Sequence, residues 1–291
     1  MDKDKSTLNV QWFPGHMAKT RRLIKENLRL CDGAVEIVDA RVTRSGRNPE
    51  IDKLLEGKPR IILLNKADLA DADATARRVA ELRREGIPAL AVDCRSGRGL
   101  NAFNPLAREV CAAQVARNES KGMSGRALRF MVVGIPNCGK SSFINRMAGR
   151  VKAEAADRPG ITKRTSWFNI GGGLELLDTP GVLWPKFEDP IVGLRLAFIG
   201  SVKDEILDIE ALACAFLDIM RARYPERLAE RYNIDCGICA DDDPLAAYSL
   251  LEKIVRSRGF LLRGSEADTL RAARTLLDEY RGGKLGRITL D

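Results

Sequence analysis

The sequence holds one histidine, His16, and only 5% of its residues are aromatic. A lone histidine leaves little for a histidine-ligated metal centre. Few aromatics mean a core built mainly from aliphatic side chains. Cysteine occurs seven times, at Cys31, Cys94, Cys111, Cys138, Cys214, Cys236 and Cys239. An odd number at scattered spacing argues against a disulfide framework. Cys236-Gly237-Ile238-Cys239 is a lone CxxC without the two further ligands that zinc needs, and it reads as a turn between helices. No apolar run approaches the roughly 20 residues of a membrane span. The longest, Ala211 to Met220, is broken by Asp218. With the short charged start Met1 to Thr7, this argues against a secretory signal, and the expected setting is cytoplasmic.

What is present fits a globular chain. It has 291 residues, 45% hydrophobic and 30% charged, enough for one large domain or two ordinary ones. Lys and Arg outnumber Asp and Glu by 48 to 40, and the net charge of +8 favours polyanionic partners. Residues 16 to 31 read as a helix. Short apolar runs follow, each ending in a polar cluster: Ala34 to Val38 at Asp39, Arg60 to Leu64 at Asn65, Ile87 to Val92 at Asp93, Leu128 to Val133 at Gly134, and Leu174 to Leu177 at Asp178. Helical stretches such as Asp73 to Arg84 and Ser141 to Met147 lie between them. Buried strands alternating with helices predict an α/β fold with a largely parallel sheet, whose ligands gather beyond the carboxyl ends of the strands. From about residue 205 the pattern is helical throughout: Ile209 to Arg223, Pro225 to Tyr232, Pro244 to Ser257 (with Asp243 as its cap) and Glu266 to Gly282. The expected division is 1–184, a connecting segment 185–204 with one helix over Ile191 to Ile199, and a small all-helical domain 205–291.

Gly134 to Ser141 matches the phosphate-binding pattern G-x-x-x-x-G-K-[ST], after an apolar strand and before a helix. Its glycines let backbone N–H groups curl round phosphates, Lys140 adds charge, and Ser141 offers a hydroxyl to Mg²⁺. Asn137, Cys138, Gly139 and Ser142 complete the expected contacts. Asp178-Thr179-Pro180-Gly181 supplies a strand-end carboxylate for the Mg²⁺ shell and, at Gly181, a backbone N–H for a γ-phosphate. Between them, Thr162 in Arg158-Pro159-Gly160-Ile161-Thr162 is the expected switch threonine on Mg²⁺, with Thr165 as its rival.

Asn65-Lys66-Ala67-Asp68 follows a strand. The Asp68 carboxylate can accept from guanine N1–H and its exocyclic amine together, a donor pair that adenine lacks. Cys94, in Val92 to Gly97, belongs to the best candidate for the backbone loop beside the base. These base-binding elements precede the phosphate loop, whereas the usual guanine-nucleotide order places them after Asp-x-x-Gly. No second Asn-Lys-x-Asp follows Gly181. Circular permutation reconciles the order, with Cys111 to Ala127 as the connector.

Together with Trp12 to Lys19, Asp39-Ala40-Arg41, Arg47-Asn48-Pro49 and Leu183 to Phe187, these motifs cover about residues 11 to 188. In kind and order they resemble the circularly permuted GTPases that act in large ribosomal subunit assembly, the ribosome biogenesis GTPase A family. The resemblance implies a P-loop GTPase fold, slow GTP hydrolysis that the large subunit accelerates, and a C-terminal helical domain on ribosomal RNA. It implies no DNA or membrane partner, and a monomer off the ribosome. Basic runs are compatible with it: residues 146 to 164 hold six basic residues against two acidic ones. Where the family has proline after Asp-Ala-Arg-Ile, this chain has Val42-Thr43 and then Arg44-Ser45-Gly46. Thr43 and Gly46 are expected to loosen that loop.

Many relatives of this nucleotide fold orient the attacking water with a glutamine just after Asp-x-x-Gly. Here that position is Val182, which cannot do so. His16 can act as a base near neutral pH, and the resemblance gives it a catalytic role beside Lys140 and Thr162. The alternative for His16 is docking. Asn137 resembles the P-loop asparagine of potassium-assisted GTPases, which makes K⁺ a candidate second cation. Val182 also keeps open a reading of another class: a guanine-nucleotide-dependent RNA-binding module with negligible catalysis of its own.

Overall fold

The computed structural model describes residues 10, 15–123, 125–149, 166–236 and 245–291, apart from the side chain of His16. By internal contacts these fall into two units, one formed by the described residues of 15–186 with Asp291, the other by Val10 with those of 187–290.

The first unit is organised around strands that are apolar on both faces, as a parallel sheet between helices requires. All seven residues of β1 (Gly33–Asp39) are buried, as are the last five of β2 (Arg60–Asn65) and four of the last five of β4 (Leu128–Val133). With β3 (Ala89–Ala91), β5 (Ser166–Asn169) and β6 (Leu174–Asp178) they form one sheet in the order β3-β2-β1-β4-β6-β5. Only β5 runs antiparallel, against β6. Helix α1 (His16–Asn27) leads into β1 through a short 3-10 turn, Leu28–Leu30. The chain winds outward from β1 to β3, returns to the middle at β4, crosses to the far edge at β5 and folds back to β6 between them. Read from β4 onward and closed through β1, this is an ordinary nucleotide-binding sheet with its chain ends moved. The reversal between β1 and β4 is where such sheets open a crevice for ligands.

Helices cover both faces. On one, Leu82 of α3 (Ala72–Arg84) packs with Val38, Ile62 and Leu64. On the other, Phe103 of α4 (Phe103–Val110) meets Phe130 of β4 and Phe143 of α6 (Lys140–Met147) edge-on, with centroids 6.1 and 5.1 Å apart. Several elements carry little signal in the sequence. α2 (Pro49–Leu54) is short, α4 lies where no helix was assigned, and β5 buries only Phe168 and so shows no alternation. The connector expected over Cys111 to Ala127 begins with helix α5 (Ala112–Ser120).

The expected loosening at Thr43 and Gly46 is corrected. Gly46 N–H donates to Val42 O at 2.7 Å, Thr43 is buried, and a Cβ on Gly46 would meet Val42 O at 2.5 Å. The turn is closed, and glycine is what lets it close.

The second unit is helical: α7 (Pro190–Phe198), α8 (Ile209–Arg223), α9 (Pro225–Tyr232), α10 (Ala246–Arg258) and α11 (Thr269–Arg281). Asp189, Asp208 and Asp268 cap three of them through their side chains. The apolar run Ala211 to Met220 is the centre of α8, and Phe198, Phe216 and Tyr280 stack in the core. Residues 185–204, read as a connector, contain α7. Arg281 binds α7 by its last carbonyls, those of Ala197 and Phe198, and pairs with Asp204. α11 starts later than the sequence suggested, because residues 260 to 268 form a small hairpin first. The cap expected at Asp243 lies outside the described residues. No helix among the described residues is long and apolar enough to cross a membrane.

Candidate nucleotide site

Strand β4 ends at Gly134, and the chain loops through residues 134–139 into α6, whose first residue is Lys140. Gly134 has φ +149°, and an added Cβ would meet Ile37 O at 2.5 Å. Gly139 has φ +103°, and its Cβ would stand 2.1 Å from Asn65 Nδ2. Both positions need glycine. Asn137 is strained instead, at φ +59°. Its carbonyl accepts from Lys66 Nζ at 2.9 Å, and Lys66 has φ +60° itself. Lys140 is buried, with Nζ donating to Ile135 O at 2.8 Å and Gly134 O at 3.3 Å. The loop therefore wraps its own ammonium at the start of a helix, an arrangement suited to polyphosphate oxygens.

Asn65, at the end of β2, connects three loops. Its Nδ2 donates to Cys138 O at 2.9 Å, and its Oδ1 accepts from Cys94 N at 3.0 Å. The loop after β3 is closed by Asp93, which accepts from the N–H groups of Arg95 at 2.8 Å and Ser96 at 3.2 Å. Arg146 of α6 donates to Ser96 O. Asp68 is half-buried and makes no hydrogen bond or ion pair with the described residues. Burial pushes the Cys94 thiol up to about 12 and raises that of Cys138, so both remain neutral parts of the wall.

Lys66 is braced from behind. Its Nζ lies 3.1 Å from Asp39 Oδ2, and Asp39 takes a two-pronged pair from Arg41 at 2.9 and 2.8 Å. Asp39 and Arg41 are fully buried. Burial alone would raise the Asp39 carboxyl, but Arg41 and Lys66 outweigh it and hold the group well below the usual carboxylate range.

Asp178 ends β6, neighbouring the phosphate loop. It is buried, its Oδ1 has no hydrogen-bond partner among the described residues, and desolvation pushes its carboxyl up to about 6 against the pull of Lys140. A dry carboxylate with an unused oxygen fits a hard divalent cation. Ser141 and Ser142 open α6. Thr179 Oγ1 donates to Val132 O at 2.5 Å. Gly181 lies against the phosphate loop, where a Cβ would meet Pro136 N at 2.7 Å, and Val182 N–H donates to Gly134 O at 3.3 Å.

The structure thus gathers Asn65, Lys66, Cys94, Asn137, Cys138, Gly139, Lys140 and Gly181 around one set of strand ends, with Asp178 at the next. His16 opens α1, and its side chain lies outside the described residues, as do Thr162, Thr165 and Cys239. Cys236 Sγ donates to Pro225 O at 3.4 Å, and no group of three His, Cys, Asp or Glu among the described residues could hold a metal. Asp39-Ala40-Arg41 and Arg47-Asn48-Pro49 stand out in the sequence as motifs without showing their task. A buried brace shows in a sequence only as charge at a strand end.

A phosphate loop tied through one asparagine to a base loop, on a sheet entered at its middle, defines a P-loop GTPase with circularly permuted motif order. Residues 129–229 match the family described as 50S ribosome-binding GTPase, in mid-chain as the permutation requires. The ribosome biogenesis GTPase A of Bacillus cereus is 43% identical over 97% of this chain and 93% of its own length. The chain belongs to the ribosome biogenesis GTPase A family, and it is a GTP hydrolase. The mitochondrial ribosome-associated GTPase 1 of Xenopus tropicalis is 33% identical over 97% of the chain and 94% of its own. Among solved structures, GNP-bound YlqF from T. maritima aligns with a TM-score of 0.63 at 27% identity, covering 94% of this chain and 97% of that one.

Proposed function

We propose that this protein is an assembly factor for the large ribosomal subunit that docks with GTP bound and leaves after hydrolysis. Family membership supports the assignment, and the observation that carries it is the Asn65 bridge, which joins base and phosphate elements into one guanine-nucleotide site. Asp68 reads the base, and its free carboxylate suits guanine's two donors. Lys140 and the N–H groups of Asn137 to Ser142 hold the phosphates. Ser141, Asp178 and Thr162 would hold Mg²⁺, and Asn137 would be a ligand for K⁺. When bound, these cations offset charge on the transferring phosphoryl group. Gly181 N–H senses the γ-phosphate. His16 acts at the attacking water, because Val182 offers no polar group there. The helical unit, with residues 185–204 leading into it, contacts ribosomal RNA. The protein works in the cytoplasm, as a monomer off the ribosome.

Co-sedimentation with large ribosomal subunits tests this reading, using a non-hydrolysable GTP analogue, GDP or no nucleotide over a range of salt. Analogue-dependent pelleting that weakens as salt rises is expected, since phosphate contacts release counterions. Equal pelleting in all three nucleotide states would contradict it.

A further inference from the structure

Val182 is held at both ends of its residue. Its N–H donates to Gly134 O at 3.3 Å, on the phosphate loop. Its carbonyl accepts from Asn48 Nδ2 at 3.1 Å. Asn48 and Val182 are both 1% exposed, so the second bond is made out of water, where a lost partner is not replaced.

Asn48 is itself firmly placed. Its Oδ1 accepts from Glu50 N at 2.9 Å and caps α2, with Pro49 in the first turn. Arg47, just before it, lies 3.6 Å from Glu36 Oε2 in the middle of β1 and 2.5 Å from Asp52 Oδ1 on α2. Arg60 of β2 pairs with the same two carboxylates. One side chain therefore uses its oxygen to start a helix anchored on the central strand and its nitrogen to grip the residue after Gly181.

We propose that Asn48 is a positioning residue for hydrolysis: it fixes the Val182 carbonyl so that the Gly181 N–H stays aimed at the γ-phosphate. This rests on the reading of Gly181 as the γ-phosphate donor. The geometry explains why the grip matters there. Gly181 is so close to Pro136 that no side chain fits, and the Gly134 carbonyl that receives Val182 N–H also receives Lys140 Nζ. A shift of Val182 therefore moves the donor and disturbs a lysine partner together. The α- and β-phosphate contacts come from the loop 134–141, one bond further from the Asn48 grip than Gly181 is.

Two substitutions isolate the donor. Asn48→Asp keeps the cap on Glu50 N but turns a carboxylate oxygen to the Val182 carbonyl. Asn48→Ser keeps a capping oxygen without charge and cannot reach Val182. Each is compared with wild type by thermal unfolding, GDP affinity, affinity for a non-hydrolysable GTP analogue, and single-turnover hydrolysis at saturating GTP. The expected result for both is GDP affinity within threefold of wild type and a hydrolysis rate at least tenfold lower. Wild-type rates in both variants, or equal losses of GDP and analogue affinity, would overturn the inference while leaving the nucleotide site intact. If the wild type bound GTP without hydrolysing it, the catalytic reading and this inference would fall together.

Discussion

Asn65 donates through its side-chain nitrogen to the Cys138 carbonyl at 2.9 Å, across 73 residues of sequence. That bond joins the base motif to the phosphate loop despite their reversed order in the chain. Its other side-chain atom accepts from Cys94. Geometry at the strand ends, not chain order, sets the site.

Asn65→Ala should therefore weaken every guanine nucleotide alike. It leaves the Cys138 carbonyl and the Cys94 N–H without partners in a dry site, at a cost of about 1–3 kcal/mol. GDP and the GTP analogue should both lose roughly 5- to 150-fold in affinity at that cost. Titration with fluorescent nucleotides measures it. Loss for one nucleotide alone would contradict the bridging role.

Asp178→Ala should act only through the cation. In Mg²⁺ buffer, GTP-analogue affinity should fall by about tenfold or more, the size usual for disturbing a metal's surroundings. With EDTA present, wild type and variant should bind alike. A persistent gap in EDTA would mean that Asp178 shapes the phosphate loop instead.

Asp39→Asn should be destabilising at neutral pH and progressively less so in acid. The folded pKa lies below the ordinary value of about 3.9. The carboxylate's contribution is therefore full above about pH 4–5 and is lost as pH falls through the depressed folded value. Breaking this buried set by removing one charge costs about 3–5 kcal/mol at pH 7. Urea unfolding from pH 7 down to pH 3 should show the gap between wild type and variant closing. A constant gap would mean that size, not charge, matters at Asp39.

Glu279→Ala should lower stability without touching nucleotide binding. Glu279 is buried in the helical unit and accepts from Arg231 Nε at 2.8 Å and Tyr232 OH at 2.9 Å. Leaving those donors unmatched costs about 1–3 kcal/mol. Calorimetry should show a lower melting temperature, with GDP affinity unchanged. A parallel fall in GDP affinity would mean that the cluster also supports the nucleotide site.

Much of this fold and site is legible in the sequence. The strands β1, β2, β4 and β6 are mainly apolar, each with a single charged residue (Glu36, Arg60, Arg129, Glu175) before it stops at Asp39, Asn65, Gly134 or Asp178, so position and chemistry coincide in the sequence. The limits of α8 and α9 are marked by Asp208, Tyr224-Pro225 and Asn233. Short elements were not legible. β5 shows only Phe168 to the core, and α2 is recognisable only once Asn48 is seen capping it. Long-range side-chain bonds such as Asn48 to Val182 leave no local pattern. The turn at Thr43 and Gly46 misleads in the other direction, since glycine there permits tight packing.

GTP hydrolysis in potassium buffer, with and without large ribosomal subunits, is the decisive measurement for wild type and His16→Ala. Subunits should accelerate the wild type, and His16→Ala should lose that acceleration while still binding GTP and the subunit. Tight GTP-dependent binding with no acceleration by mature or immature subunits would contradict the account.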